Sequence, residues 1–229
     1  MGYSISIILP AYNEEKNISR AIEASDKVLA SLACDYEIIV VNDGSSDGTE
    51  EVVRQLSRGR TNLRCLSHDK NLGYGAALKT GLKKAGKDLL FFTDSDLQFD
   101  ITELTELMKW IDTHNIVIGY RKRRMDHPGR KILGWGWTML VRVLFGLTVK
   151  DIDCAFKLFR KEVIDSISID SIGAFVNSEI LIRATSRGHT IKEVPVTHFP
   201  RLNGKAMGAH PRIIIKALHE LSKMYKELV

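Results

Sequence analysis

Cysteine is scarce: 3 in 229 residues, at positions 34, 65 and 154, an odd number with no Cys-x-x-Cys pair. That excludes a disulfide framework or zinc knuckle and points to a reducing, cytoplasmic compartment. Proline is equally sparse, 5 in all, and no repeat or low-complexity tract occurs, so disorder, collagen and coiled coil are excluded. The least polar stretch, Ile132 to Val149, is broken by Arg142, which costs about 3 kcal/mol in a bilayer core, so no transmembrane helix is expected. Met1-Gly2-Tyr3-Ser4 leads straight into an apolar run without a cationic leader, which argues against secretion. The 7 histidines show no metal-binding spacing, and there is no Gly-x-Ser-x-Gly elbow.

What is present suits one α/β domain, with 44% hydrophobic and 27% charged residues. Ser4 to Ala11, Tyr36 to Asn42, Leu63 to Ser67 and Asp88 to Thr93 read as buried strands. Between them, Ile18 to Leu32, Gly48 to Arg58 and Tyr74 to Lys84 carry the 3.6-residue period of amphipathic helices. Continuous apolar strands alternating with helices predict a mostly parallel sheet sandwiched by helices, with all the strands' carboxyl ends along one edge. After Gly119 the alternation fades. Helices are expected at 130–147, 176–187 and 212–228, a strand at 190–196 and a loop at 200–211, where ligand binding would impose order.

The ligand crevice of such a sheet lies outside the strands' carboxyl ends. Three of the segments there are polar and acidic: Pro10-Ala11-Tyr12-Asn13-Glu14-Glu15, Asn42-Asp43-Gly44-Ser45-Ser46-Asp47-Gly48 and Asp94-Ser95-Asp96-Leu97-Gln98. Asp47 is placed to cap the following helix. Asp94, Asp96 and Gln98 alternate at a strand's end, an oxygen-ligand arrangement suited to Mg²⁺ or Mn²⁺ completed by substrate phosphate oxygens. An Asp-x-Asp after a strand also serves simply to turn the chain. Asn71-Leu72-Gly73-Tyr74-Gly75-Ala76 lacks the third glycine of a dinucleotide fingerprint and the Lys-Ser/Thr of a P-loop, so it reads as close backbone approach to a helix start.

Four of these motifs in order, Ile7-Ile8-Leu9-Pro10-Ala11-Tyr12-Asn13-Glu14, Val41 to Thr49, Asn71 to Ala76 and Asp94 to Gln98, resemble the family 2 glycosyltransferases of GT-A (Rossmann-like) fold. The likeness spans roughly the whole chain and is nearest the dolichyl-phosphate mannose synthase and polyprenyl-phosphate branch. Asp151 to Phe159, Glu179, Glu193 to Val196, Arg201 and Gly204 agree with it. Departures are Asn42 for the first of two aspartates, Ala155-Phe156-Lys157 for Gly-Phe-Arg, and no Ser-Lys after Arg201.

The resemblance implies one GT-A domain over 1–229, with a nucleotide-sugar half (1–118) and an acceptor half (119–229) ending in acceptor-side helices. It implies a nucleoside diphosphate sugar donor, GDP-mannose or a UDP-sugar, and an inverting, metal-dependent transfer. Pro10, Tyr12, Glu14 and Asp43 would hold the nucleoside, with Gly73, Lys157 and Lys205 as further substrate contacts. Asp94, Asp96 and Gln98 would surround metal and diphosphate, with Asp96 also catalytic. Arg123 and Arg130, then Arg121 and Lys131, with Arg201, would position an acceptor phosphate.

Charge supports that acceptor. Residues 119 to 161 carry 11 Lys+Arg against 3 Asp+Glu, more than the whole chain's net +5. No nucleic-acid-binding pattern accompanies them, so polyprenyl phosphate or an anionic membrane surface fits better. In the helix from Lys131 to Leu147, Leu133, Trp137, Leu140 and Leu144 form an apolar stripe widened by Trp135, Met139 and Val143. Such a helix beside cations suits peripheral attachment at the inner membrane face, a buried core or a homodimer contact. Two alternatives stand: a soluble saccharide or metabolite acceptor with Glu179 or Asp153 as general base, and a non-catalytic nucleotide-sugar-binding subunit working with a separate membrane subunit.

Overall fold

Every residue of the apolar run Ile5–Ala11 is buried, which a strand achieves only when both faces of its sheet are covered. The computed structural model describes residues 2–32, 35–122, 128–201 and 211–228. In chain order these form β1 (Ile5–Ala11), α1 (Ile18–Leu32), β2 (Tyr36–Asn42), α2 (Thr49–Ser57), β3 (Leu63–Ser67), α3 (Tyr74–Lys84) and β4 (Leu89–Thr93). Then come α4 (Leu104–Met108), β5 (Ile116–Arg121), α5 (Pro128–Phe145), β6 (Phe156–Arg160), α6 (Lys161–Ser166), α7 (Val176–Ser186), β7 (Ile191–Val196) and α8 (Pro211–Leu228).

The sheet order is β3-β2-β1-β4-β6-β5-β7. Its strands are parallel except β6, which runs antiparallel to both β4 and β5. Side chains alternate across it, as strand geometry requires. Ile7 and Leu9 join Ile38, Val40 and Phe91 against α1, α2 and α4; Ile8 joins Ile39, Val41 and Phe92 against α3, α5 and α7. Burying each of these phenylalanines contributes about 1.5–3 kcal/mol. The fold class is thus α/β, with a sheet between two helical layers.

Strand β6 was not expected. Phe156-Lys157-Leu158-Phe159-Arg160 places a lysine at an interior position, and that lysine is wholly buried. The first strands and helices match their expected spans closely. The expected 130–147 helix begins two residues earlier, with Pro128 in its first turn. It stops at Phe145, where Gly146 takes φ +69° and donates its amide to the Arg142 carbonyl at 2.9 Å. The chain turns back to enlarge the sheet from its far side after β3, so connections diverge between β1 and β4. That topological switch point opens a crevice between the segments following those two strands. The expected 200–211 loop lies almost wholly outside the described residues.

Candidate active site

At the switch point the Ser95 hydroxyl donates to the Pro10 carbonyl at 2.8 Å, tying the end of β4 to that of β1. Asp94 and Asp96 follow on either side of it. Asp96 is 3% exposed; its Oδ1 accepts from the Gln98 amide at 3.1 Å and its Oδ2 from Arg201 Nη2. Leu97 between them adopts φ +61°, a left-handed conformation uncommon for leucine and costing on the order of 1 kcal/mol or more. Arg201 Nη1 also lies 3.7 Å from Glu14 Oε1. The Gln98 side-chain amide donates to the Phe199 carbonyl at 3.0 Å, while the Phe199 amide donates to the Gln98 carbonyl at 2.7 Å. Gln98 therefore anchors the segment that carries Arg201 over Asp96.

Burial, and then the adjacent Asp96 charge, push the Asp94 carboxyl up to about 7. Burial likewise raises the Glu14 carboxyl above its ordinary value. Glu14 is held from two sides: its amide donates to Thr49 Oγ1 at 2.9 Å and its Oε2 accepts from Asn17 Nδ2 at 2.5 Å.

This donor set fits a hard divalent cation. Two crowded carboxylates need positive charge between them, and the Tyr74 hydroxyl beside Asp94 is buried without a hydrogen-bond partner. Among the described residues no three His, Cys, Asp or Glu side chains converge into a complete metal cage. A two-carboxylate site completed by diphosphate oxygens is what that chemistry allows.

Just past the end of β2, Asp43 is 3% exposed and accepts from the Leu72 and Gly73 amides, both at 2.9 Å, and pairs with His68 Nδ1 at 2.7 Å. It thereby straps the loop before α3 against β2. Tyr12 is half-buried at the crevice wall. Asn13, which the sequence did not single out, takes φ +56° and accepts from the Ser46 amide at 2.8 Å, joining the first two acidic segments. Asparagine tolerates that conformation better than most residues, and this was the available signal. Asp47, expected to cap α2, stands one residue before its N-cap, Gly48, and accepts from the Thr49 amide at 3.0 Å.

Residues 6–168 match the model of Glycosyl transferase family 2. The chain belongs to that family. Two curated relatives are the dolichyl-phosphate beta-glucosyltransferase ALG5C of Trichomonas vaginalis, 33% identical over 83% of this chain and 62% of that protein, and glycosyltransferase AglD of Haloferax volcanii, 30% identical over 87% and 34%. This glycosyltransferase-family chain thus spans less than two thirds of either relative's length. Glucosyl-3-phosphoglycerate synthase from Mycobacterium tuberculosis, in complex with Mn²⁺, UDP-glucose and phosphoglyceric acid, superposes with a TM-score of 0.76 at 22% identity, covering 98% of this chain and 80% of that one. The shared architecture is the GT-A fold.

Several charged residues of this family 2 chain expected to face substrate are instead engaged within the protein. Arg121 forms a bidentate pair with Asp151, Nε to Oδ2 and Nη2 to Oδ1 each at 2.6 Å. That pairing corrects the expectation of a guanidinium presented to an acceptor phosphate. Lys157 is fully buried and donates to the Ile152 and Cys154 carbonyls and, at 3.0 Å, to Asn177 Oδ1. Burial pulls its ammonium down to about 8, and it organises the 152–154 turn rather than contacting a ligand directly. Glu179, expected as a catalytic residue, accepts from the Asp170 amide at 3.0 Å, the Ser171 amide at 2.8 Å and Arg183 Nε at 3.0 Å, so it braces the 170–171 segment against α7. Gly73 and Gly75 serve the expected close approach: a Cβ on Gly73 (φ +108°) would stand 2.4 Å from the Ile172 carbonyl oxygen, and one on Gly75 2.6 Å from that of Gly173. Lys131 is exposed on the first turns of α5, where Arg130 also lies. Arg123 and Lys205 fall outside the described residues.

The apolar stripe of α5 divides. Trp137 turns inward, its Nε1 donating to Ser178 Oγ at 3.0 Å and its ring meeting Phe175 edge-on at 5.9 Å. Trp135, by contrast, is 65% exposed, with Ile132 at 69%, Leu133 at 51% and Val143 at 74%. Helix α8 likewise buries Ala217, Leu221 and Met224 while exposing Ile215, Leu218, Tyr225 and Leu228. Among the described residues no helix is long and apolar enough to cross a membrane.

Proposed function

We propose that this chain transfers a sugar from a nucleoside diphosphate sugar to a polyprenyl or dolichyl phosphate at a membrane surface, with inversion at the anomeric carbon. The observation that carries the reading is the Asp94–Asp96 pair at the β1/β4 switch point, facing Arg201 across the crevice. The sugar's anomeric bond to the diphosphate breaks as an acceptor phosphate oxygen forms the new one, and the nucleoside diphosphate leaves with the electron pair. Asp94 and Asp96 would hold a divalent ion, Mg²⁺ or Mn²⁺, which would supply electrostatic stabilisation of charge on that leaving group. Arg201, anchored through Phe199 and Gln98, is within reach of the same charge and can grip it bidentately. Asp43 and the loop it straps form the nucleoside wall.

A phosphate acceptor is already anionic at neutral pH and needs positioning rather than deprotonation. The engagement of Glu179 with two backbone amides and Arg183 supports that mode. The exposed apolar faces of α5 and α8, beside the basic 119–161 segment, support a lipid-borne acceptor. The dolichyl-phosphate relative points the same way.

The test is a donor panel of radiolabelled UDP- and GDP-sugars with a short polyprenyl phosphate. Label is expected to enter the organic phase with Mn²⁺ and to stay out when EDTA is added. Label retained in a soluble glycoside, or no turnover with any donor, would overturn the assignment.

Membrane contact has its own check, sharpened by the two tryptophans. Trp135→Ser is expected to leave the melting temperature within about 1 °C, since exposed side chains change stability little, while cutting co-sedimentation with anionic vesicles several-fold. Trp137→Ser should do the reverse, destabilising the fold by about 2 kcal/mol as a half-buried ring and its hydrogen bond to Ser178 are lost. Unchanged vesicle binding in Trp135→Ser would remove α5 from the membrane surface.

A further inference from the structure

We infer that Tyr74 is a positioning residue for Asp94, its phenolic hydroxyl fixing the carboxylate's orientation toward the crevice for cation binding. The ring packs against the core on the α3 side of the sheet. Its hydroxyl lies between the Asp94 carboxylate and the Asn177 amide, is buried, and meets hydrogen-bond geometry with neither. Donor and acceptor inventory decides which way it acts. Lys157 has only protons to offer, so Asn177 receives it through Oδ1 at 3.0 Å and presents Nδ2 to the phenol. The phenol's oxygen is thus the natural acceptor for Asn177, and its own proton is left for Asp94. The order Lys157, Asn177, Tyr74, Asp94 has one formed bond, Lys157 to Asn177, followed by two contacts outside ordinary hydrogen-bond geometry whose polarity points toward Asp94.

The scaffold around Tyr74 permits little sliding. Asp43 accepts from the Gly73 amide at 2.9 Å on one side. On the other, the Ile172 carbonyl accepts from the Gly75 and Ala76 amides at 3.1 and 3.4 Å. The flanking glycines leave no room for a Cβ. The first turn of α3 is therefore locked between the nucleoside strap and the 171–173 segment, and Tyr74 links that strap to the acidic pair. A buried hydroxyl without an ordinary hydrogen bond costs the fold stability, so its presence calls for a use other than folding. Groups that orient metal-binding side chains typically carry 10–100-fold in metal affinity.

The inference rests on Asp94 being a cation ligand, so the experiment tests the two separately. Mn²⁺ is titrated into the full chain with UDP or GDP present, free Mn²⁺ is read by electron paramagnetic resonance, and thermal unfolding is followed in parallel. Tyr74→Phe is expected to weaken Mn²⁺ binding about tenfold or more while the melting temperature holds or rises. At saturating metal, kcat should return toward the wild-type value. Asp94→Asn is expected to abolish tight Mn²⁺ binding. Unchanged affinity in Tyr74→Phe, with Asp94→Asn defective, would overturn the role of Tyr74 and leave the site intact. A clear drop in melting temperature in Tyr74→Phe would also overturn it, by making the hydroxyl a structural partner. Wild-type affinity in Asp94→Asn would instead remove the ligand assignment on which both readings stand.

Discussion

Replacing Asp96 with alanine is expected to lower sugar transfer by at least about a thousandfold while leaving the protein folded. The carboxylate lies three residues past the end of β4, where one oxygen is fixed by the Gln98 amide and the other receives Arg201. Its loss removes one of two acidic side chains able to hold a divalent ion and takes from the Arg201 guanidinium the nearer of two carboxylates, Glu14 at 3.7 Å being the other. Loss of a single preorganised electrostatic group costs about 10²–10³ in rate, and loss of a cation stabilising the leaving group costs several kcal/mol more. Folding should suffer far less, since both partners of Asp96, the Gln98 amide and Arg201, belong to loop segments and the Arg201 side chain stays part-exposed; a melting-temperature decrease of a few degrees is the expected limit. Initial rates at saturating donor, with unfolding curves on the same preparation, decide the matter. A variant turning over at the wild-type rate would end the assignment of chemistry to this end of β4.

Much of this arrangement was legible in the residues. Strands β1 and β4 are buried throughout and β2 from Glu37 onward, with apolar runs at their centres, so both their positions and their polar ends could be read directly. The acidic segments converge because parallel strands put their carboxyl ends on one edge. Illegible were long-range charge pairings. Arg121 and Asp151 are 30 positions apart and Lys157 and Asn177 are 20 apart; residue type alone makes each a plausible ligand contact, and only the register of β6 against β4 and β5 brings partners together. Strand β6 was hidden by the same lysine, since an interior charge looks like a surface residue until its carbonyl partners are known. The tryptophans of α5 differ for a similar reason. Both lie on an apolar helix, yet only Trp137 finds a hydroxyl, that of Ser178 on α7, for its indole N–H.

The Arg121–Asp151 pair yields the largest expected effect on stability. Both side chains are about nine-tenths buried, at 8% and 10% exposure, and the carboxylate also accepts from the Arg121 amide at 3.2 Å. Such a pair contributes modestly as a unit, because desolvating two ions offsets most of their attraction, but removing one member strands the other in a poor solvent for charge. Asp151→Ala should therefore cost about 3–5 kcal/mol, lowering the melting temperature by roughly 10 °C for a chain of this size. The double variant Arg121→Met with Asp151→Leu should recover most of that, since the charge and its desolvation disappear together. Urea unfolding of wild type, Arg121→Met, Asp151→Leu and the double variant closes the cycle. A loss below about 1 kcal/mol in Asp151→Ala would mean that water reaches the pair and that it behaves as a surface ion pair. The consequence for the site is geometric. Arg121 ends β5 and Asp151 opens the turn that Lys157 holds from within, so the pair makes one fixed wall at that strand's carboxyl end. If that wall serves to position the acceptor, Asp151→Ala assayed below its melting transition should raise the apparent KM for polyprenyl phosphate while leaving that for the nucleotide sugar unchanged.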